Sequence, residues 1–298
     1  MRKSEKIFLL ICACLSPIFT ACERTFDPIS VDDEQVVDDQ KDPVGEESPA
    51  VYSQSLVEAM AANSWHHEES GDYSWDHSQV VQIALNGNSI TVSGDITIND
   101  GAIHLVATDD GFNATKGQRT ERNDGSHLTI HGGYVAVNCS RGDGLDSNGN
   151  TTVTAGTVVV HGPTSQPEVG FDVNGTFKIA GGLFIATGPN AGHMIETPSA
   201  TSTQNSVIIF IPATLSASSL LHIEDASGDD VVTFKPVRNV YYIVLSSPRL
   251  MSGVTYSVHT GGSATGTNTD GLYSDGAFSG GTLKKNFTIT GKVTQVSI

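Results

Sequence analysis

Four segments of this chain share one register, and that register limits the folds open to it more than any single residue does. They begin at Ile96, Leu128, Thr151 and Phe177, and each reads as a short alternating strand, a glycine bend and a second alternating strand. In the second unit these parts are Leu128-Thr-Ile130, Gly132-Gly133 and Val135-Ala-Val137; in the fourth they are Phe177-Lys-Ile179, Gly181-Gly182 and Phe184-Ile-Ala186. A unit recurring at roughly 23 to 32 residues predicts a solenoid, and short strands bent at glycine predict a parallel β-helix. One such coil cannot bury its own apolar face, so the coils must stack.

A second ladder runs beside the first. The strand pairs are followed by the loops Asp109-Asp110-Gly111-Phe112-Asn113, Gly142-Asp143-Gly144-Leu145-Asp146, Glu168-Val169-Gly170-Phe171-Asp172 and Gly192-His193-Met194-Ile195-Glu196. Stacking places Asn113, Asp146, Asp172 and Glu196 at one equivalent position, and it pairs Asp110 with Asp143. Neighbouring coils lie about 4.8 Å apart. Two carboxylates at that spacing repel by roughly 3 kcal/mol at an effective dielectric near 20. A hard cation taking oxygen ligands offsets that cost, which points to calcium.

The amino terminus has the form of an export signal: basic Arg2 and Lys3, an apolar run from Ile7, then Phe19-Thr-Ala-Cys22. Cysteine directly after Thr-Ala resembles a bacterial lipobox, implying cleavage before Cys22 and lipid attachment there. The alternative is an ordinary signal peptide with an incidental cysteine. The expected organisation is a signal at 1–21, an acidic disordered tether at 22–52, a parallel β-helix at 53–206 and a β-rich cap at 207–298. The tether is rich in acids such as Asp32, Asp33, Glu34, Asp38 and Asp39, with little apolar content to order it. A short helix over Ser53 to Ala62 would cover the first coil. In the cap, strands are expected over 207–211, 231–234, 240–245, 255–259 and 287–293, with a hairpin turning at Gly228-Asp229-Asp230.

Net charge is −17, which excludes nucleic acid as a partner because phosphates require a basic footprint. The mature body keeps one cysteine, Cys139, so it has no intrachain disulfide; its inward parity marks it as a small core thiol rather than a reactive one. The run Trp65-His66-His67-Glu68-Glu69, with Asp72, Asp76 and His77, matches no zinc spacing, and Trp65, Tyr73 and Trp75 are read as packing over the open end. Asn148-Gly149 and Asn174-Gly175 read as turns. The remaining histidines are scattered, with His104 and His131 facing outward.

The loops DGFNA and GDGLDSNG, the bends GGYVAV and GGLFIA, the run Ser246 to Tyr256 and the pattern Gly271-Leu-Tyr-Ser-Asp275 resemble the bacterial carbohydrate-binding domain-containing lipoproteins. These are right-handed parallel β-helices similar in shape to family 9 polysaccharide lyases, and the likeness spans about residues 80 to 298. It implies an all-β fold, calcium-dependent binding of acidic polysaccharide, chiefly polygalacturonate, and no established catalysis. It implies metal ligation at Asp109, Asp110, Asn113, Asp143, Asp146 and Asp172. The fourth loop departs from the pattern, with His193-Met-Ile-Glu196 in place of DG-φ-D. An exported protein on the bacterial envelope, attached to the membrane only through its lipid, fits this reading. Calcium also removes the conflict between an anionic protein and an anionic sugar, because a bound divalent ion inverts the local field.

Two other classes compete. A pectate-type lyase needs a Lys or Arg base beside the ion; Lys116, Arg119, Arg122 and Arg141 lie near the loops, but the polar insertion from Thr115 to Gly125 is a mobile platform for one. A structural surface protein or adhesin would use calcium only to stiffen the solenoid.

Overall fold

The computed structural model describes residues 73–75, 80–85, 90–93, 95–116 and 122–298. Cys22, the signal, the acidic tether, Ser53 to Ala62, Arg119 and the residues from Trp65 to His77, apart from the strand Tyr73–Trp75, lie outside the described residues. The described part is all-β, and none of its helices is long and apolar enough to cross a membrane.

The chain visits three parallel sheets in rotation. The first holds β1 (Tyr73–Trp75), β4 (Ile96–Ile98), β7 (His127–Ile130), β10 (Asn150–Val153) and β13 (Phe177–Ile179). The second starts with β2 (Val80–Leu85), β5 (Ala102–Ala107), β8 (Tyr134–Cys139), β11 (Thr157–His161) and β14 (Leu183–Gly188). The third holds β3 (Ile90–Ser93), β6 (Phe112–Thr115), β9 (Leu145–Ser147) and β12 (Phe171–Val173). Alternation decides which side chains turn inward. Ile98, Ile130, Val153 and Ile179 form one buried row, and Leu105, Val137, Val160 and Ala186 another. Each fully buried Ile or Leu contributes roughly 1.5–3 kcal/mol of burial. Cys139 belongs to this core as a buried free thiol, opposite Ala107.

Glycine makes the corners. Gly101, Gly133, Gly156 and Gly182, one from each repeated unit, have φ of 95°, 76°, 85° and 82°, a region where a β-carbon is strained. The loop glycines have a different reason. A β-carbon on Gly111 would lie 2.2 Å from the Gly144 carbonyl oxygen, and one on Gly144 would lie 2.5 Å from that of Gly170. The shared glycine of the three loops therefore marks where successive coils press backbone on backbone.

The parallel stack ends on an antiparallel strand. Strand β18 (Val240–Ser246) pairs with β14 on one side and with β15 (Ser206–Leu215) on the other, and β25 (Val293–Ser297) closes this edge beside β15. A separate sheet runs β21 (Thr267–Thr269), β22 (Leu272–Ser274), β17 (Asp230–Phe234), β16 (Leu221–Asp225), β19 (Thr255–Thr260) and β24 (Thr282–Thr288). The ribbon β20 (Ser263–Ala264) with β23 (Phe278–Ser279) pairs separately and packs against this sheet through Phe278, which stacks on His222. The hairpin turning at Gly228 forms as the sequence indicates, whereas the strand expected over 287–293 is split, its first two residues ending β24, its last beginning β25, and 289–292 forming the break between them.

One face of the cap sheet, carrying Ile223, Val232, Phe234, Tyr256 and Val258, forms a second core with Val159 and Ile185. The second sheet is thus buried on both faces in its last coils, which explains the unbroken runs Val158-Val-Val160 and Phe184-Ile-Ala186. Arg238 fastens the junction: one guanidinium nitrogen donates to the carbonyls of Cys139, His161 and Gly162 at 2.7–2.8 Å, and another donates to Asn138 Oδ1.

Candidate metal centre

Strands β6, β9 and β12 set the acidic ladder by their pleat. Phe112, Leu145 and Phe171 point inward, so Asn113, Asp146 and Asp172 point outward, directly opposite one another in register. The ladder continues at Glu196, whose carboxylate accepts the Val173 N–H; burial and the neighbouring Asp172 charge push it up to about 7.

Just before these strands, three carboxylates converge. Asp110, Asp143 and Glu168 each present an oxygen within 4.8 Å of the other two. Asp143 is buried at 6% exposure, while Asp110 and Glu168 are half-buried and form the rim. The site is held from several directions. Asp110 Oδ1 accepts the Asp143 backbone N–H at 2.8 Å, and Asp143 Oδ1 accepts the Val169 N–H at 2.5 Å. The Asn113 amide joins this centre to the ladder, donating to Asp110 Oδ2 at 2.9 Å and also to Asp146 Oδ2. Asn113 Oδ1 is buried with no hydrogen-bond partner.

The electrostatics favour a cation or protons. Burial pushes the Asp143 carboxyl well above the usual carboxylate range, and the charges of Asp110, Asp172 and Glu168 push it further. Burial also raises Glu168, with Asp110 adding to it, while a hydrogen bond to Asp143 opposes the shift. Three acids so placed must either share protons or hold a metal ion.

Of the residues singled out in the sequence, Asp110 and Asp143 enter this group. Asn113 bridges it, while Asp146 and Asp172 line the ladder beside it. Asp109 lies near enough for its charge to act on Glu168, and its carbonyl lies 2.7 Å from the Cys139 Sγ. Glu168 is the carboxylate of this group that the sequence pattern did not single out. Val169 occupies the position of Asp110 and Asp143, and the longer glutamate reaches the same point from one residue earlier. Burial pushes the Cys139 thiol up to about 12, consistent with a core side chain. The insertion after Thr115 is pinned at both described ends. Asp124 accepts from the backbone of Lys116 at 2.6 Å and of Ser126 at 2.8 Å, and Lys116 Nζ donates to the Gly125 carbonyl at 2.7 Å. Comparison with models of protein families, with curated proteins and with solved structures gives no match for this chain.

Proposed function

We propose that this protein is an exported, lipid-anchored, non-catalytic binder of acidic polysaccharide that holds calcium at Asp110, Asp143 and Glu168. The three-sheet rotation supports a right-handed parallel β-helix, since parallel crossovers are right-handed in nearly all cases. The convergence of the three carboxylates carries the functional reading. Calcium takes oxygen ligands at about 2.3–2.6 Å, so oxygens sharing one ion stand no more than about 5 Å apart, and the three carboxylate oxygens lie within that limit of one another. Three protein carboxylates leave positions in a shell of six to eight, and the half-exposed rim gives a uronate carboxylate access to them. When bound, calcium would supply the positive charge that an anionic polymer needs on this anionic surface. Asp143 would hold the ion from below, with Asp110 and Glu168 orienting it toward the rim. A lyase reading has less support, because Lys116 is committed to the Gly125 carbonyl.

Equilibrium binding of polygalacturonate to the purified chain, with calcium and then with chelator, tests the proposal. Binding should vanish with chelator and in Glu168→Gln; binding that persists with chelator would contradict it. The burial of Asp143 favours one second reading, in which the ion only fastens adjacent coils. In that case calcium raises the melting temperature and polygalacturonate is not retained.

A further inference from the structure

The outer face of the cap sheet carries a polar cluster unrelated to the acidic ladder. Antiparallel pairing sets His222 on β16 opposite Thr233 on β17 and His259 on β19. His222 is nearly inaccessible, at 3% exposure, and both its ring nitrogens are engaged. Nδ1 lies 2.8 Å from Thr233 Oγ1 and 3.2 Å from Asp230 Oδ1, and Nε2 lies 3.2 Å from Glu224 Oε2. The other oxygen of Glu224 lies 3.2 Å from His259 Nε2. The Phe278 ring of the β20–β23 ribbon stacks on His222 at 4.0 Å between centroids. His222 is thus locked between carboxylates and an aromatic ring. It forms one wall of a cavity of about 300 Å³ between the β16–β17 hairpin and the segment 273–278.

We propose that this cavity binds an amino sugar, at a site separate from the calcium centre. Glu224, Asp229, Asp230 and Asp275 line it, and no Lys or Arg side chain does. Glu224 and Asp230 are engaged by the histidines. Among the described residues, neither Asp229 nor Asp275 has a cation within ion-pair distance. Exposed acids alone are ordinary surface; these rim a cavity whose base is the buried pair His222 and Thr233. An ammonium group on the ligand would meet Asp229 and Asp275 in charge-assisted hydrogen bonds. The rest of the lining indicates what carries that charge. Ser274 and Tyr273 add hydroxyl groups, and Tyr273 and Phe278 add ring surface, the combination suited to a sugar with polar edges and apolar faces. The methylene stem of a lysine or polyamine needs apolar wall to cover it, and the aliphatic side chains here are only those of Ala264 and Ala277. A cavity of about 300 Å³ stands at the small end of ligand pockets, which suits a single sugar unit.

The test is calorimetric titration of the full chain, held in chelator, with a short glucosamine oligomer, its N-acetylated counterpart of equal length, and spermidine. The glucosamine oligomer should bind saturably. The N-acetylated oligomer keeps the ring and loses the charge, spermidine keeps the charge and loses the ring, and each should bind at least about tenfold more weakly. Asp229→Asn and Asp275→Asn should each weaken glucosamine binding by about tenfold. Asparagine tolerates the left-handed backbone of Asp275, at φ of 56°, so that substitution removes the charge alone. Asp143→Asn should leave binding unchanged. No binding of the glucosamine oligomer, equal binding of its N-acetylated counterpart, or full binding in both Asn variants of the cavity would each overturn the assignment. So would spermidine binding as tightly, which would make this a site for any polyamine, or loss in Asp143→Asn, which would move the ligand to the acidic triad. Calcium and polygalacturonate take no part in the assay, so failure here and failure of the calcium reading are told apart.

Discussion

Asp143 is buried beside Asp110 and Glu168, and that conflict has a measurable pH signature. In the metal-free protein, Asp143 and Glu168 have folded values raised above their unfolded ones. Their contribution is therefore complete below the unfolded carboxylate range and is lost as pH rises through the folded values, with buried Asp143 the main source and Glu168, more exposed and screened by solvent, adding less. With chelator present, the melting temperature should fall between pH 5 and pH 8. Saturating calcium, which binds the deprotonated form, should add more stability at pH 8 than at pH 5. Asp143→Asn separates charge from structure. It should leave the chelated protein at pH 8 as stable as the wild type or a few degrees more so, while removing most of the calcium-induced rise in melting temperature. At this scale the sequence was only partly legible. The DG-φ-[DN] loops exposed Asp110 and Asp143 because a fixed backbone contact demands the same glycine in each coil. Glu168 was hidden because its side-chain length, not its position in the register, brings it to the site.

At the scale of elements, corners and the cap junction bear testable loads. Gly133→Ala forces a side chain into φ of 76° and brings its β-carbon to 2.4 Å from the Gly101 carbonyl oxygen. It should cost more than about 1 kcal/mol, read as a lower denaturant midpoint. Arg238→Ala leaves the carbonyls of Cys139, His161 and Gly162 without their shared donor. A loss of about 2–4 kcal/mol is expected from hydrogen bonds to a charged group, measured by the same unfolding curves. The repeated strands were legible because alternation and bend glycines recur in each coil. Strand β24 and the ribbon β20–β23 were not, because their residues are mostly exposed and carry no apolar period. The His222 cluster was hidden for another reason: antiparallel pairing assembles it from residues as far apart as 222 and 259, which no local spacing records.

For the whole molecule, the cap is continuous with the coils. Strand β18 extends the second sheet, and the cap sheet shares a core with Val159 and Ile185. The expected boundary near residue 206 falls within a continuous sheet: Ser206 begins β15, which lies in the same sheet as β14 and runs in the same direction, with the reversed strand β18 between them. On this frame the acidic triad and ladder lie along the third sheet, and the His222 cluster lies on the outer face of the cap sheet. The acidic triad as a cation site is what the proposed function depends on first. Calorimetric titration of calcium into the chelator-treated chain at pH 7.5, repeated in a second buffer of different ionisation enthalpy, measures the affinity and the protons released together. The account predicts saturable binding with proton release, lost in Glu168→Gln and Asp143→Asn. No binding in the wild type, or equal binding in both variants, would contradict it.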